Sequence, residues 1–237
     1  MSGHSKWSTI KHKKGAADAK RGKVFTKHSK LITIAAREGG GDMEINSTLR
    51  MLVQKARKDN MPNDRIDKSV KVGTGEIKSD SIISEILYEG YGPGGVAILV
   101  QALTDNNNRT LTNIRTIISK AGGSLGKAGC VAYLFDRKGV FVFDNDRKDE
   151  LEEFAIMNGA EDIKEEEDVI VIYTGAEDFG SFMKAVSESD FEASHFELTF
   201  VPNSTSDGNE KLEEKIENLV ELLDDDDDVS SVITNLE

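Results

Sequence analysis

A single cysteine, Cys130, stands in the 237 residues. It excludes an internal disulfide and suits a reducing compartment. The residue opens the apolar run Cys130–Phe135, where the sequence predicts a strand and a small buried side chain in preference to a reactive thiol. Long apolar runs are missing too. Mean hydropathy is −0.41, and the longest uncharged apolar stretch, Gly94–Leu103, falls far short of the ~20 residues of a membrane-spanning helix. Met1-Ser2-Gly3-His4-Ser5-Lys6-Trp7 puts no apolar core behind its positive charge, so it does not read as a secretory signal. Nor does it hold the Arg-rich amphipathic stretch of a transit peptide. A cytoplasmic protein is expected.

Catalytic and metal signatures are equally scarce. The histidines are His4, His12, His28 and His195, with no paired spacing for zinc. There is no nucleophile elbow and no HExxH. The Gly-rich segments 90–95 and 122–126 match neither the P-loop nor GxGxxG and read as tight turns. Carboxylates are abundant, but their spacing selects no acid/base pair. Asp224–Asp228 is a run of five carboxylates without the spaced ligand set of a calcium loop. It reads as a solvated turn between a helix and a strand, whose charge would also repel or compete with nucleic acid and so restrict binding to the basic face. The expectation is therefore no enzyme, no catalytic residue, no metal site and no cofactor.

What is present is a division of charge. Residues 1–78 hold 18 Lys+Arg against 8 Asp+Glu, a net of +10. Residues 79–237 hold 12 against 35, a net of −23. The acidic whole thus hides a basic segment suited to a polyanion. Within residues 1–30, nine Lys+Arg face one acid, Asp18. Phosphate binding needs cations gathered on one accessible surface. Lys6, Lys11, Lys13, Lys14, Lys20, Arg21, Lys23, Lys27 and Lys30 are the expected phosphate contacts. Arg37, Arg57 and Lys58 extend the set. Trp7 reads equally as a stacking platform for a base and as an anchor packed on the protein. No recognition helix with a clear set of base readers is evident, so shape or backbone recognition is expected.

The order of elements follows from periodicity. Residues 1–19 read as a mobile or extended basic arm. Lys20, Lys23, Lys27, Lys30 and Arg37 share an arc of roughly 100° on a helix, opposite Val24, Phe25, His28, Leu31, Ile32, Ala35 and Ala36. Ile34 intrudes on the basic face. Two shorter helices follow, one capped at Asn46 or Ser47 and one starting at Pro62. Beyond residue 80 the pattern predicts strands 82–91 and 96–103, a helix around 111–121 and a strand at 130–135. Residues 137–203 read as βαββαβ, the ferredoxin-like order. A final helix and the strand 229–234 close the chain.

The expected fold class is α+β and multidomain. Residues 1–78 form the basic arm and three-helix domain. Residues 79–136 with 204–237 form a discontinuous α/β domain, because each piece alone leaves sheet edges and an apolar helix face uncovered. Residues 137–203 are the α/β domain inserted into it.

Several blocks carry a resemblance. They are Gly3-His4-Ser5-Lys6-Trp7, Lys20–Lys27, Ala35–Gly41, Asn60-Met61-Pro62, Tyr88–Gly95 and Asp105–Thr110. In this order, and with the acidic run before the final strand, the chain resembles the YebC/PmpR family end to end. It departs from many members at Lys27-His28-Ser29-Lys30. The resemblance implies an all-helical first domain and two α/β domains. It implies a cytoplasmic DNA-binding transcriptional regulator in bacteria. It also implies an alternative, a ribosome- or RNA-associated translation factor assisting difficult sequences such as proline-rich ones, since mitochondrial relatives are translational activators of cytochrome c oxidase subunit I. The partner expected is nucleic acid, DNA or in the alternative ribosomal RNA. No membrane and no small-molecule substrate is expected, and self-association is left open.

Overall fold

The computed structural model describes residues 18–79, 82–166 and 168–236, with side chains from residue 22 onward. Three helices come first: α1 (Asp18–Gly39), α2 (Ser47–Lys58) and α3 (Asn63–Gly73). The apolar stripe of α1 meets the apolar faces of the other two. Ile32, Ala35, Ala36, Leu49, Val53, Ala56, Met61 and Ile66 form their shared core. Asn46 fixes the turn between α1 and α2. Its Oδ1 accepts from Leu49 N at 2.9 Å, capping α2. Its Nδ2 donates to Ala35 O at 2.9 Å and Gly40 O at 2.8 Å.

The same compact unit contains a four-stranded sheet. Its strands are β1 (Ser84–Tyr91), β2 (Ala97–Thr104), β3 (Ser124–Leu125) and β8 (Val229–Thr234), in the order β3-β1-β2-β8. All neighbours are antiparallel. Strands β1 and β2 are joined through a 3₁₀ turn, Pro93–Gly95, where Gly94 and Gly95 take φ of 70° and 80°. Those angles favour glycine because they lack the Cβ clash. Helices α4 (Asn107–Lys120) and α7 (Glu210–Asp224) bring Ile114, Ile118, Leu219 and Leu223 to a core with Ile98, Val100 and Val232 of the sheet. Strand β8 pairs with β2 across a long separation in sequence, so the last segment of the chain supplies an edge of this sheet.

Two details depart from the expected pattern. Strand β3 is a two-residue pairing over Gly90, where a Cβ would lie 2.6 Å from Ser124 O. The strand expected at Cys130–Phe135 is a loop and a 3₁₀ turn, Ala132–Leu134, and regular pairing starts only at Phe135. The reason is Glu89. Its carboxylate accepts from the N–H groups of Gly129 (2.6 Å), Val131 (2.9 Å) and Ala132 (2.7 Å), while Cys130 N and Leu134 N close local turns onto Lys127 O and Val131 O, so these amides are not offered to a ladder. Cys130 is consequently half-buried in that loop rather than inside a strand. Burial first, then the Glu89 charge, pushes its thiol pKa up, away from a reactive thiolate.

The second compact unit spans residues 135–203. Its elements run β4 (Phe135–Asp144), α5 (Lys148–Met157), β5 (Asp162–Glu166), β6 (Val169–Gly175), α6 (Phe179–Glu188) and β7 (His195–Pro202). Sheet order β5-β6-β4-β7, all antiparallel, is the ferredoxin-like arrangement. Phe141 of β4 meets Phe179 and Phe182 of α6 at ring distances of 5.0 and 4.7 Å. Val140 and Val142 point to the opposite face with Val169 and Val171. Among the described residues no helix is long and apolar enough to cross a membrane.

Candidate nucleic-acid interface

Helix α1 is amphipathic, and its basic side meets the acidic run that precedes β8. The Lys23 ammonium donates to Asp225 O at 2.8 Å and to its Oδ1 at 3.0 Å. Lys27 Nζ lies 3.9 Å from Asp224 Oδ1. Lys30 directs its donors at Leu103 O (2.9 Å), Asp227 O (2.8 Å) and Asp228 Oδ1 (3.0 Å). An ammonium has three donors, so Lys30 is fully engaged. One turn further, Ile34 is buried.

The contact is graded in depth. Lys23 and Asp225 side chains are 40% and 73% exposed, whereas Lys30 and Asp228 are 17% and 8% exposed. Asp228 is the anchor. Its Oδ2 accepts from Arg109 Nη2 (2.7 Å) and Nε (3.2 Å), Thr110 Oγ1 (2.8 Å) and Thr104 Oγ1 (3.3 Å). Burial alone would push this carboxyl up. The hydrogen bonds from Arg109, Lys30 and Thr110 outweigh it and hold the pKa below the usual aspartate range. Lys27 shows the opposite balance. Burial pushes its ammonium below the usual lysine value, Asp224 pulls it back, and the neighbouring Lys23 and Lys30 charges lower it further.

The acidic run is therefore not a solvated turn throughout. Asp225 caps α7, and the last turn of that helix carries no basic residue of its own. Ammonium groups from α1 supply the positive charge that a helix C-terminus and its unpaired carbonyls favour.

The remaining expected contacts fall in other places. Lys6, Trp7, Lys11, Lys13 and Lys14 lie outside the described residues. Lys20 and Arg21 belong to the first turns of α1, their side chains outside what is described. Arg37 is exposed and donates to Ile83 O at 2.7 Å. Arg57 and Lys58 are exposed at the end of α2, with Arg57 Nε 3.3 Å from Asn63 Oδ1. Lys68 and Lys71 are exposed on α3. Arg65 lies over the Phe25 ring at 5.9 Å. The structure thus brings Lys23, Lys27 and Lys30 against the acidic run, whereas Arg37, on the same helix, meets Ile83, and Arg57 and Lys58 stand on α2.

Sequence reasoning missed Arg109, Thr104, Thr110 and Glu89. Ile34 was the signal for the buried contact, because an apolar residue on a basic face implies a neighbour there.

Comparison with known proteins places these features in a family. The TACO1/YebC N-terminal domain matches residues 5–76, and the TACO1/YebC second and third domains match residues 83–236. A protein of Maridesulfovibrio salexigens named "Probable transcriptional regulatory protein" is 49% identical over 237 residues, covering 99% of this chain and 95% of its own. One of Syntrophus aciditrophicus with the same name is 49% identical over 239 residues, covering 100% and 96%. The crystal structure of a conserved hypothetical protein from Aquifex aeolicus superposes with a TM-score of 0.90 at 41% identity, covering 98% of this chain and 97% of the other.

Proposed function

The chain belongs to the TACO1/YebC family, and from that membership we propose that it is a non-enzymatic, cytoplasmic regulator of transcription that grips DNA through its basic N-terminal segment. The observation that carries this reading is the charge division: +10 over residues 1–78 in a chain that is otherwise −23. A uniformly acidic protein would repel DNA, whereas this one offers a single attractive segment. The regulatory names of relatives alike over their full length support the same reading. Contacts are made to phosphates, so affinity depends on backbone and shape more than on base edges. Lys6, Lys11, Lys13 and Lys14 of the N-terminal stretch, Lys20, Arg21 and Lys23 of α1, and the exposed cations Arg57 and Lys58 carry the binding. Lys30 fastens α1 to the strand end and the acidic run.

The test is binding of the full chain to a fluorescent DNA duplex across a salt series, with a structured RNA of similar length in parallel. Log affinity should fall linearly with log salt, by about 0.9 per phosphate engaged on B-DNA. Affinity that ignores salt overturns the reading, and selective binding of the RNA replaces it with the translational alternative.

A further inference from the structure

Cations gathered to meet phosphate are here already facing anions. Lys23 meets the Asp225 carboxylate and carbonyl, and Lys27 faces Asp224. We infer that the Asp224–Asp225 end of the acidic run is an intramolecular competitor for phosphate. It occupies the outer lysines of α1 until a polyanion displaces it. This rests on the nucleic-acid reading above and adds a regulatory contact to it.

Three observations carry the inference. The first is the gradient of burial. The inner contact, Lys30–Asp228–Arg109, is enclosed and rich in hydrogen bonds, and it holds α1 in place whatever happens outside. The outer pair, Lys23–Asp225, is solvent-accessible on both sides. Exposed ion pairs are weak and screened by salt, so a strand of phosphates can replace the outer carboxylates without undoing the inner anchor. The second is the crowding of cations. Burial lowers the Lys27 pKa and the Lys23 and Lys30 charges lower it further, while Asp224, at 3.9 Å, and Asp227 offset this only in part. A denser anion would satisfy the outer ammonium groups of Lys23 and Lys27 better. The third is the local cost of the competitor. Asp224 ends α7 and Asp225 caps it, where negative charge opposes the helix dipole. Asparagine would serve a helix end at least as well, so capping α7 does not explain the carboxylates, whereas facing the α1 lysines does.

The experiment uses the full chain and a labelled 20-base-pair duplex, read by fluorescence anisotropy. Wild type is set beside D224N/D225N and beside E210Q/E214Q. The latter variant removes the same charge from exposed positions near the start of α7, more than two turns away from Asp224. D224N/D225N should bind the duplex about threefold to tenfold more tightly than E210Q/E214Q at low salt, the range that one exposed and one half-buried pair allow. The advantage should shrink as salt rises. Equal affinities for the two variants show that only net charge acts, and they overturn the inference while leaving DNA binding intact. Failure of all three proteins to bind overturns the nucleic-acid reading and the inference together. Binding by D224N/D225N with none by wild type or E210Q/E214Q supports the competitor in its strongest form.

Discussion

Asp228→Asn is the most informative perturbation of the fold around the basic helix. Asp228 receives Lys30 on one oxygen and Arg109, Thr110 and Thr104 on the other. An amide of the same shape turns donors toward one of these groups and leaves that group unpaired. Breaking a buried ion pair costs about 3–5 kcal/mol. Two features reduce this figure. Lys30 keeps the carbonyls of Leu103 and Asp227, and Arg109, 48% exposed, keeps Asp105 at 3.0 Å. A loss of about 2–3 kcal/mol remains. At roughly 2–4 °C per kcal/mol for a chain of this size, calorimetry should show a fall in Tm of about 4–12 °C at pH 7. The pH dependence has a fixed sign. The folded pKa of Asp228 is depressed, so its contribution is full above the unfolded value of about 3.9 and fades as pH falls through the folded value. The difference between wild type and variant should therefore be largest at neutral pH and close below about pH 4. A loss under ~1 kcal/mol at pH 7, or a gap unchanged by acid, would refute the assignment of Asp228 as the anchor.

Glu89→Gln should free the loop 126–134. The amide can still accept, but its NH₂ faces backbone donors, at a cost of about 1–3 kcal/mol and with faster amide exchange at Gly129, Val131 and Ala132; unchanged exchange there would contradict the clamp. Burial would raise the Glu89 pKa, but the three N–H groups hold it below the usual range, so its contribution too is lost as acid protonates it. Asn46→Ala removes the α2 cap and two bonds to the end of α1, and urea titration should show a loss of about 2 kcal/mol. Asn46→Ser should recover about half of that, since serine restores the cap alone.

Periodicity revealed most elements because each helix and strand buries one face. The stripe of Leu49, Val53 and Ala56 and the alternation of Val140 with Phe141 are local patterns that packing obeys. The two α/β pieces, each with strand edges left uncovered when read alone, also called for one another, and strand 229–234 pairs with the 97–104 strand. What escaped the sequence were contacts between charged groups far apart in the chain. Lys30 and Asp228 are separated by 198 residues, and no local spacing relates them. The strand reading of 130–135 failed for a similar reason. Its apolar composition suits a strand, but a carboxylate in β1 takes the amides of Val131 and Ala132, and those of Cys130 and Leu134 close local turns. The phosphate-facing reading of α1 placed Ile34 on the basic face without drawing a contact from it, and its burial reveals that contact.

The central claim is that the basic N-terminal segment binds nucleic-acid phosphates. The most direct test compares the salt dependence of duplex binding for wild type and for the variant with Lys6, Lys11, Lys13 and Lys14 replaced by alanine. The slope of log affinity against log salt should become shallower by up to about 3.6, four phosphate contacts at ~0.9 each, with weaker binding throughout. Identical slopes and affinities for the two proteins would contradict the account.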